Sequence, residues 1–232
     1  MIDLRDAIRS TGTVRAFTDE PVDDATLAAV LDDARFAPSG GNRQPWRVAF
    51  VRDPAVRDQL AALIQPVWDE YVSISAQGGT PFALDAPAAP AERPRASNPL
   101  LEQIRRIPVV LAVAADRTKV ALMDGELQRP ALTGGASIYP FCWNLLLAAR
   151  ARGLGGVMTT FLSRVEPAAA PVLGLPRTHA LAATIFLGHP VHQPTKLRRA
   201  PVASFATIDR FDGAAFDVPL DGAAGDADRS PS

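Results

Sequence analysis

The densest set of ligand-facing groups in this 232-residue sequence is Ala37-Pro38-Ser39-Gly40-Gly41-Asn42-Arg43-Gln44-Pro45-Trp46-Arg47. Ser39, Asn42 and Gln44 bring a hydroxyl and two amides to one turn. Gly40 and Gly41 remove side chains where a flat ligand could approach the backbone, and Pro38 and Pro45 fix the two ends. On composition alone the stretch is a Gly/Pro connection between a helix and a strand. Three arginines form the next group. Arg15 follows a helix end, and Arg198 and Arg199 sit in the late basic cluster Lys196-Leu197-Arg198-Arg199. Guanidinium groups bind phosphate bidentately and stay charged, although a lone arginine reads equally well as a solvated surface residue.

A self-sufficient catalytic set is missing from the sequence. The histidines are His179, His189 and His192; His189 and His192 have metal-compatible spacing, but no carboxylate or cysteine motif accompanies them. No Gly-x-Ser-x-Gly, Walker A or Gly-x-Gly-x-x-Gly motif follows a strand. Gly153-Leu154-Gly155-Gly156 follows a helix and precedes a strand, the wrong order for a dinucleotide fingerprint. Cys142 lies in the most apolar helical stretch, where burial raises a thiol pKa and makes it inert. No catalytic side chain and no metal are therefore expected. Such a sequence suits chemistry carried by a bound cofactor, with the protein supplying a phosphate anchor, a surface for a flat ring and hydrogen bonds to the ring edge.

The elements that must position these groups are legible from periodicity. Residues 2–10 place Leu4 and Ile8 on one helical face, ended by Thr11-Gly12-Thr13. Leu27, Val30, Leu31 and Ala34 predict a helix over 24–36, with Asp23 as N-cap and Val22 stapled to Leu27. A short β run at 47–51 leads to Asp53-Pro54, an N-cap followed by proline at the first helical position. The next helix carries Val56, Leu60, Leu63, Ile64 and Val67 on its apolar face. Prolines punctuate 76–99 too closely for regular structure, which predicts a lid or binding loop. Residues 108–115 and 180–187 read as strands buried on both faces. Residues 138–152 are apolar nearly all round, which predicts a helix in a large core or at a subunit interface, with Pro140 in its first turn. Another β run spans 157–160, and 164–174 is helix-like but interrupted by Pro167 and Pro171.

Composition bounds the rest. Hydrophobic residues make up 47% and charged residues 21%, an ordinary globular balance, and the formal net charge of −1 offers no field for nucleic acid. One cysteine excludes an internal disulfide and fits a reducing cytoplasm. The N-terminus lacks a signal-peptide apolar core, and no run of 18 apolar residues is present, so neither secretion nor membrane insertion is expected. Helices alternating with about four strands give an α/β or α+β class. One domain over 1–212 and a disordered tail over 213–232 are expected.

Four blocks in order resemble the nitroreductase-like family of FMN-dependent oxidoreductases: Thr13-Val14-Arg15-Ala16-Phe17, residues 37–46, residues 144–155, and residues 196–201. The resemblance implies an α+β, three-layer fold with a mixed, mainly antiparallel sheet, and an intertwined homodimer with FMN at the interface. It implies that Arg15 contacts the FMN phosphate with Thr13 and Val14 beside it, and that Arg198 or Arg199 completes the phosphate site. Pro38, Ser39, Gly40, Asn42 and Gln44 border the ring and ribityl chain from the partner subunit, and Thr159 and Thr160 lie near the reactive flavin nitrogen. NADH or NADPH would be the reductant, and a nitroaromatic or quinone the small-molecule acceptor, in ping-pong order. Thr11 and Gly12 stand where the family usually has arginines, and 65–107 shows no family match, which leaves the substrate open. A carrier or sensor of flavin, and the family's dehydrogenase or flavin-fragmenting branches, are the alternatives.

Overall fold

The structure is a computed structural model and describes residues 2–218. They form two compact units, one up to Thr195 and one from Lys196 onward. The first holds a four-stranded sheet in the order β1-β2-β4-β3, built from β1 (Trp46–Phe50), β2 (Val109–Asp116), β3 (Gly155–Thr159) and β4 (His179–Gly188). All three pairings are antiparallel. Trp46 lies opposite Ala115, Val109 opposite Leu187, and Thr159 opposite Thr184. A parallel bridge from Thr13 to Gly156 adds the mixed character.

Helices cover both faces, which is why all eight residues of β2 are buried and the first seven, Val109 to Ala115, read as one continuous apolar run. On one face, α2 (Asp24–Ala34) and α5 (Tyr139–Ala151) send Leu27, Val30, Phe141, Cys142 and Leu145 against Leu111, Val113, Ile185 and Leu187. On the other, α3 (Pro54–Ala76), α4 (Pro99–Glu102), α6 (Phe161–Arg164) and α7 (Glu166–Leu173) send Leu60, Ile64, Leu101, Leu162 and Ala169 against Val110, Ala112 and Phe186. Each large side chain so buried contributes about 1.5–3 kcal/mol. This is the expected three-layer α+β arrangement.

The predicted caps form. Asp23 Oδ1 accepts from Thr26 N at 2.7 Å, and Asp53 Oδ1 accepts from Ala55 N at 2.7 Å ahead of Pro54. Asp3 likewise caps α1 (Leu4–Ser10). Pro140 falls in the first turn of α5. The helix-like stretch at 164–174 resolves into the end of α6 and α7, with Pro167 in the first turn of α7 and Gly174 closing it in the left-handed conformation.

Residues 78–98 hold no helix or strand, and their C-terminal end is tied down. Gln65 Nε2 donates to Ala96 O at 2.9 Å, Ala96 N donates to Asp69 Oδ1 at 2.8 Å, and Trp68 Nε1 donates to Ser97 O at 2.9 Å. Arg57 secures the return to β2. It is 6% exposed and donates to the carbonyls of Val51 and Ile107, both at 2.7 Å, and of Ile104 at 3.1 Å. Burial pulls its pKa down, while the carbonyls favour the charged form.

In the second unit, Thr207 bridges Ala215, with Ile208 N donating to Ala214 O and Phe216 N to Ala206 O, both at 2.9 Å. The first residues of the expected tail thus make ordered backbone pairings, and 219–232 lie outside the described residues.

Candidate functional site

The site is built from a strap. Residues 13–18 run past the start of β3 and the end of β4, where Val14 N donates to Gly156 O at 2.9 Å, Thr18 N to His189 O at 2.9 Å, and Val191 N to Ala16 O at 3.1 Å. Gly155 allows this closeness, and Gly156 allows the packing beneath it. A Cβ on Gly155 would stand 2.7 Å from Val14 Cγ2, and one on Gly156 would stand 2.5 Å from Leu187 Cδ2. Gly155 therefore makes room for the strap and Gly156 for the side chains of Leu187 and Leu146. Val14 is 2% exposed, with its side chain committed to packing and its N–H to Gly156. Thr13 and Arg15 remain exposed.

Arg15 lines a cleft of about 910 Å³ bounded by α3, the chain around α4, the end of β3, and α6. That volume is within the roughly 300–1,000 Å³ typical of small-molecule and cofactor sites. Thr159 and Thr160 line it too, at the corner where β3 ends and α6 begins. Thr159 Oγ1 reaches Thr184 O at 3.5 Å, and Thr160 makes no side-chain cap bond. Ser163, another lining residue, has its Oγ buried without a hydrogen-bond partner among the described residues. Most other walls are apolar, including Ile64, Val67, Leu100 and Val157. Among the described residues Arg15 makes no ion pair.

The 38–44 loop is elsewhere. It precedes β1, while Thr159 ends β3, so β2 and β4 separate the two sheet edges. Three strand spacings amount to about 14 Å. The loop is highly ordered by its own bonds. Gln44 N donates to Ser39 Oγ at 3.0 Å, Gln44 Nε2 to Asn42 Oδ1 at 3.1 Å, and Gly40 N to Ser137 Oγ at 3.0 Å. Gly41, Asn42 and Gln44 all have positive φ, at 59°, 52° and 48°. Pro38 is exposed and free of the turn's bonding. A concentration of left-handed residues outside glycine points to function. Arg198 and Arg199 are exposed in the second unit, where Arg199 Nη1 donates to Arg198 O at 2.7 Å.

The sequence reading missed the cleft's outer wall. Trp68 and Tyr71 stack with centroids 5.5 Å apart at 8°, and Phe161 meets both edge-on, at 5.7 and 5.5 Å. Phe82 closes the group 6.1 Å from Tyr71. Only the i, i+3 spacing of Trp68 and Tyr71, and of Phe161 and Arg164, hinted at this wall. Cys142 is buried, and burial pushes its thiol up to about 12. His189 Nε2 stands 3.7 Å from Glu20 Oε1. No group of three or more potential ligands for a metal is found, and no helix is long and apolar enough to cross a membrane, among the described residues.

Comparison with known proteins agrees with this geometry. The family model described as the nitroreductase family matches residues 8–189. The chain is 30% identical over 204 residues to an NADH dehydrogenase of Thermus thermophilus, covering 87% of this chain and 94% of the relative. It is 34% identical over 179 residues to a 5,6-dimethylbenzimidazole synthase of Rhodospirillum rubrum, covering 76% and 77%. A solved nitroreductase from Desulfovibrio desulfuricans in complex with FMN superposes with a TM-score of 0.65 at 25% identity, covering 91% of this chain and 99% of that one. The NADPH:FMN oxidoreductase of Vibrio harveyi shares the fold, with a TM-score of 0.65 at 20% identity over 89% of this chain and 77% of that one. On its strap, its antiparallel sheet and a family match that spans most of its length, this chain belongs to the nitroreductase family.

Proposed function

We propose that this protein is an FMN-dependent oxidoreductase. It works as a homodimer and moves reducing equivalents from NADH or NADPH to an electron-poor small molecule such as a nitroaromatic or a quinone. The observation that carries the reading is that Arg15 and the Thr159 and Thr160 corner, far apart in sequence, meet in one cleft with mostly apolar walls. FMN, when bound, supplies two-electron chemistry at N5, with reductant and acceptor using the pocket in turn, a ping-pong order. Arg15 offers a phosphate two parallel N–H donors and has no carboxylate competing for them. Thr159, Thr160 and Ser163 supply hydroxyls for a polar ring edge. Ile64, Val67 and Val157 keep water from the ring face. Among the described residues no carboxylate or imidazole lines the cleft, and solvent can supply the proton to the acceptor.

What one protomer leaves uncovered supports the homodimer. Leu4 and Ile8 of α1 are 72% and 50% exposed, and Tyr139 and Trp143 of the adjacent α5 are 40% and 37% exposed. Such a joined apolar patch marks an interface. The 38–44 loop, about three strand spacings (roughly 14 Å) from its own cleft edge, is suited to border the cleft of a second copy.

The test is an absorbance spectrum after FMN addition and desalting, then with NADH or NADPH under anaerobic conditions. Flavin bands that survive desalting and bleach on nicotinamide addition are expected, and Arg15→Ala is expected to lose retention while keeping the fold. Colourless protein overturns the reading, and retained flavin that no nicotinamide reduces points to a carrier or sensor. The 34% identical relative from Rhodospirillum rubrum supports one second reading, fragmentation of reduced flavin by oxygen. Chromatography for dimethylbenzimidazole after aerobic reduction separates the two.

A further inference from the structure

The charge pattern of the cleft limits what enters it. Its charged lining residues are Arg15 and Arg164, and none is acidic. With Arg15 committed to phosphate, as in the reading above on which this step rests, Arg164 is the cation left for the acceptor. It ends α6 at the cleft mouth, with its guanidinium 4.1 Å from the Phe82 ring centroid and Nη2 donating to Glu70 Oε1 at 2.8 Å. Glu70 is shared, because Arg93 Nη1 lies 3.7 Å from its other oxygen. One carboxylate thus serves two guanidinium groups. The Arg164 side chain is 47% exposed, so an incoming anion reaches it.

Beside this cation stands the aromatic wall, which offers π surface to a flat ring. Phe82 is its yielding member. It holds φ at 62°, a costly conformation for a bulky side chain. It packs on Tyr71 and on Arg164. A ligand that engages Arg164 takes over one of those contacts.

We propose that the cleft selects planar aromatic acceptors bearing an anionic substituent such as a carboxylate or sulfonate. Arg164 is the specificity-determining cation, the wall of Trp68, Tyr71, Phe82 and Phe161 is the ring platform, and Glu70 is the internal competitor that anionic ligands displace. The same cation would suit the phosphates of a nicotinamide dinucleotide, so the test must separate the two sources.

The test is equilibrium binding of 4-nitrobenzoate and its neutral counterpart 4-nitrobenzamide by calorimetry, which needs no turnover, to the FMN-loaded full chain, so that Arg15 is occupied, or to the chain as purified where it retains no FMN. Wild type is expected to prefer the benzoate roughly tenfold, the effect of one partly hydrated charge-assisted contact. Arg164→Gln is expected to abolish the preference and leave the benzamide constant within about twofold, since the site is half-exposed and its loss should not unfold the chain. Arg164→Lys should restore part of the preference, and Glu70→Gln should widen it. Equal binding of the two ligands by wild type, or a preference that survives Arg164→Gln, overturns the proposal. A defect of Arg164→Gln confined to NADH or NADPH binding overturns it too, by giving the cation to the donor. A chain that retains FMN without the preference sinks this proposal alone. A chain with the preference but no FMN sinks the flavin reading and leaves Arg164 as the selector of an aromatic anion.

Discussion

The two faces of the sheet are built from the same strands yet do different work. On the α2 and α5 face, Phe141, Leu145, Ile185 and Leu187 are at most 2% exposed, and Trp46 stacks on Phe141 at 4.9 Å and 9°. On the α3 and α6 face the core is equally dry under α3, at Leu60 and Ile64, but it opens toward the end of β3 into the cleft. There the aromatic side chains pack on one another at the rim. The difference separates stability from recognition. One face fills its space with side chains, and the other leaves space and furnishes its rim.

The sharpest way to break that contrast is to cut equal side chains from the two faces. Phe141→Ala should cost about 3–5 kcal/mol, because a closed core cannot collapse around the cavity. Urea or thermal unfolding with folding-sensitive fluorescence reads this. A loss below about 2 kcal/mol would mean that this face relaxes like an open surface.

Phe161→Ala removes a ring of the same size from the cleft wall. It forfeits the edge-on contacts to Trp68 and Tyr71, but its site already borders open volume. The expected loss is about 1–2 kcal/mol, near the value of those aromatic pairs, with the larger effect on ligand affinity. A stability loss matching that of Phe141→Ala would put both faces in one class.

The same contrast explains what was legible in the sequence. The closed face was readable because its elements carry their own period. The apolar runs in β2 and β4, the heptad-like spacing in α2 and the nearly all-apolar α5 each announce burial without knowledge of a partner. The caps at Asp23 and Asp53 were readable for the same reason, since cap and helix are neighbours in sequence. The cleft face was not. Trp68 and Phe161 are far apart in sequence and meet only because α3 and α6 pack side by side, and periodicity says which face of a helix is apolar, never which helix it meets. Arg57 misleads for a related reason. A charged residue one turn into a helix reads as solvated, yet it is buried because the carbonyls of Ile104 and Ile107, from a distant segment, converge on it together with that of nearby Val51. Arg15, Thr159 and Thr160 were found through family resemblance, and the structure brings those three together. The 38–44 loop was found the same way, and its left-handed backbone at Asn42 and Gln44 is a feature no composition reveals.

The effect most confined to one condition concerns how the closed face is entered. The connection from β2 to α5 turns around Asp124, which is 6% exposed. Its carboxylate accepts from Leu132 N at 2.8 Å, from Thr133 Oγ1 at 2.5 Å and N at 3.2 Å, and from Arg129 Nη1 at 2.6 Å. The backbone bond from Leu132, then those from Thr133 and Arg129, hold this carboxyl well below the usual carboxylate range. A folded-state pKa below the unfolded one gives stability that is fully present above the unfolded value of about 3.9 and is lost as pH falls through the folded value. Asp124→Asn keeps one acceptor oxygen but has no charge to lose. The stability gap between wild type and this variant should therefore be constant from neutral pH to about 5 and then narrow as the medium is acidified. Unfolding curves for both proteins across that range read the gap directly. A gap that stays level into strong acid would mean that the turn is held by its hydrogen-bond geometry alone. The lead-in to α5 would then be as indifferent to charge as the apolar face it serves.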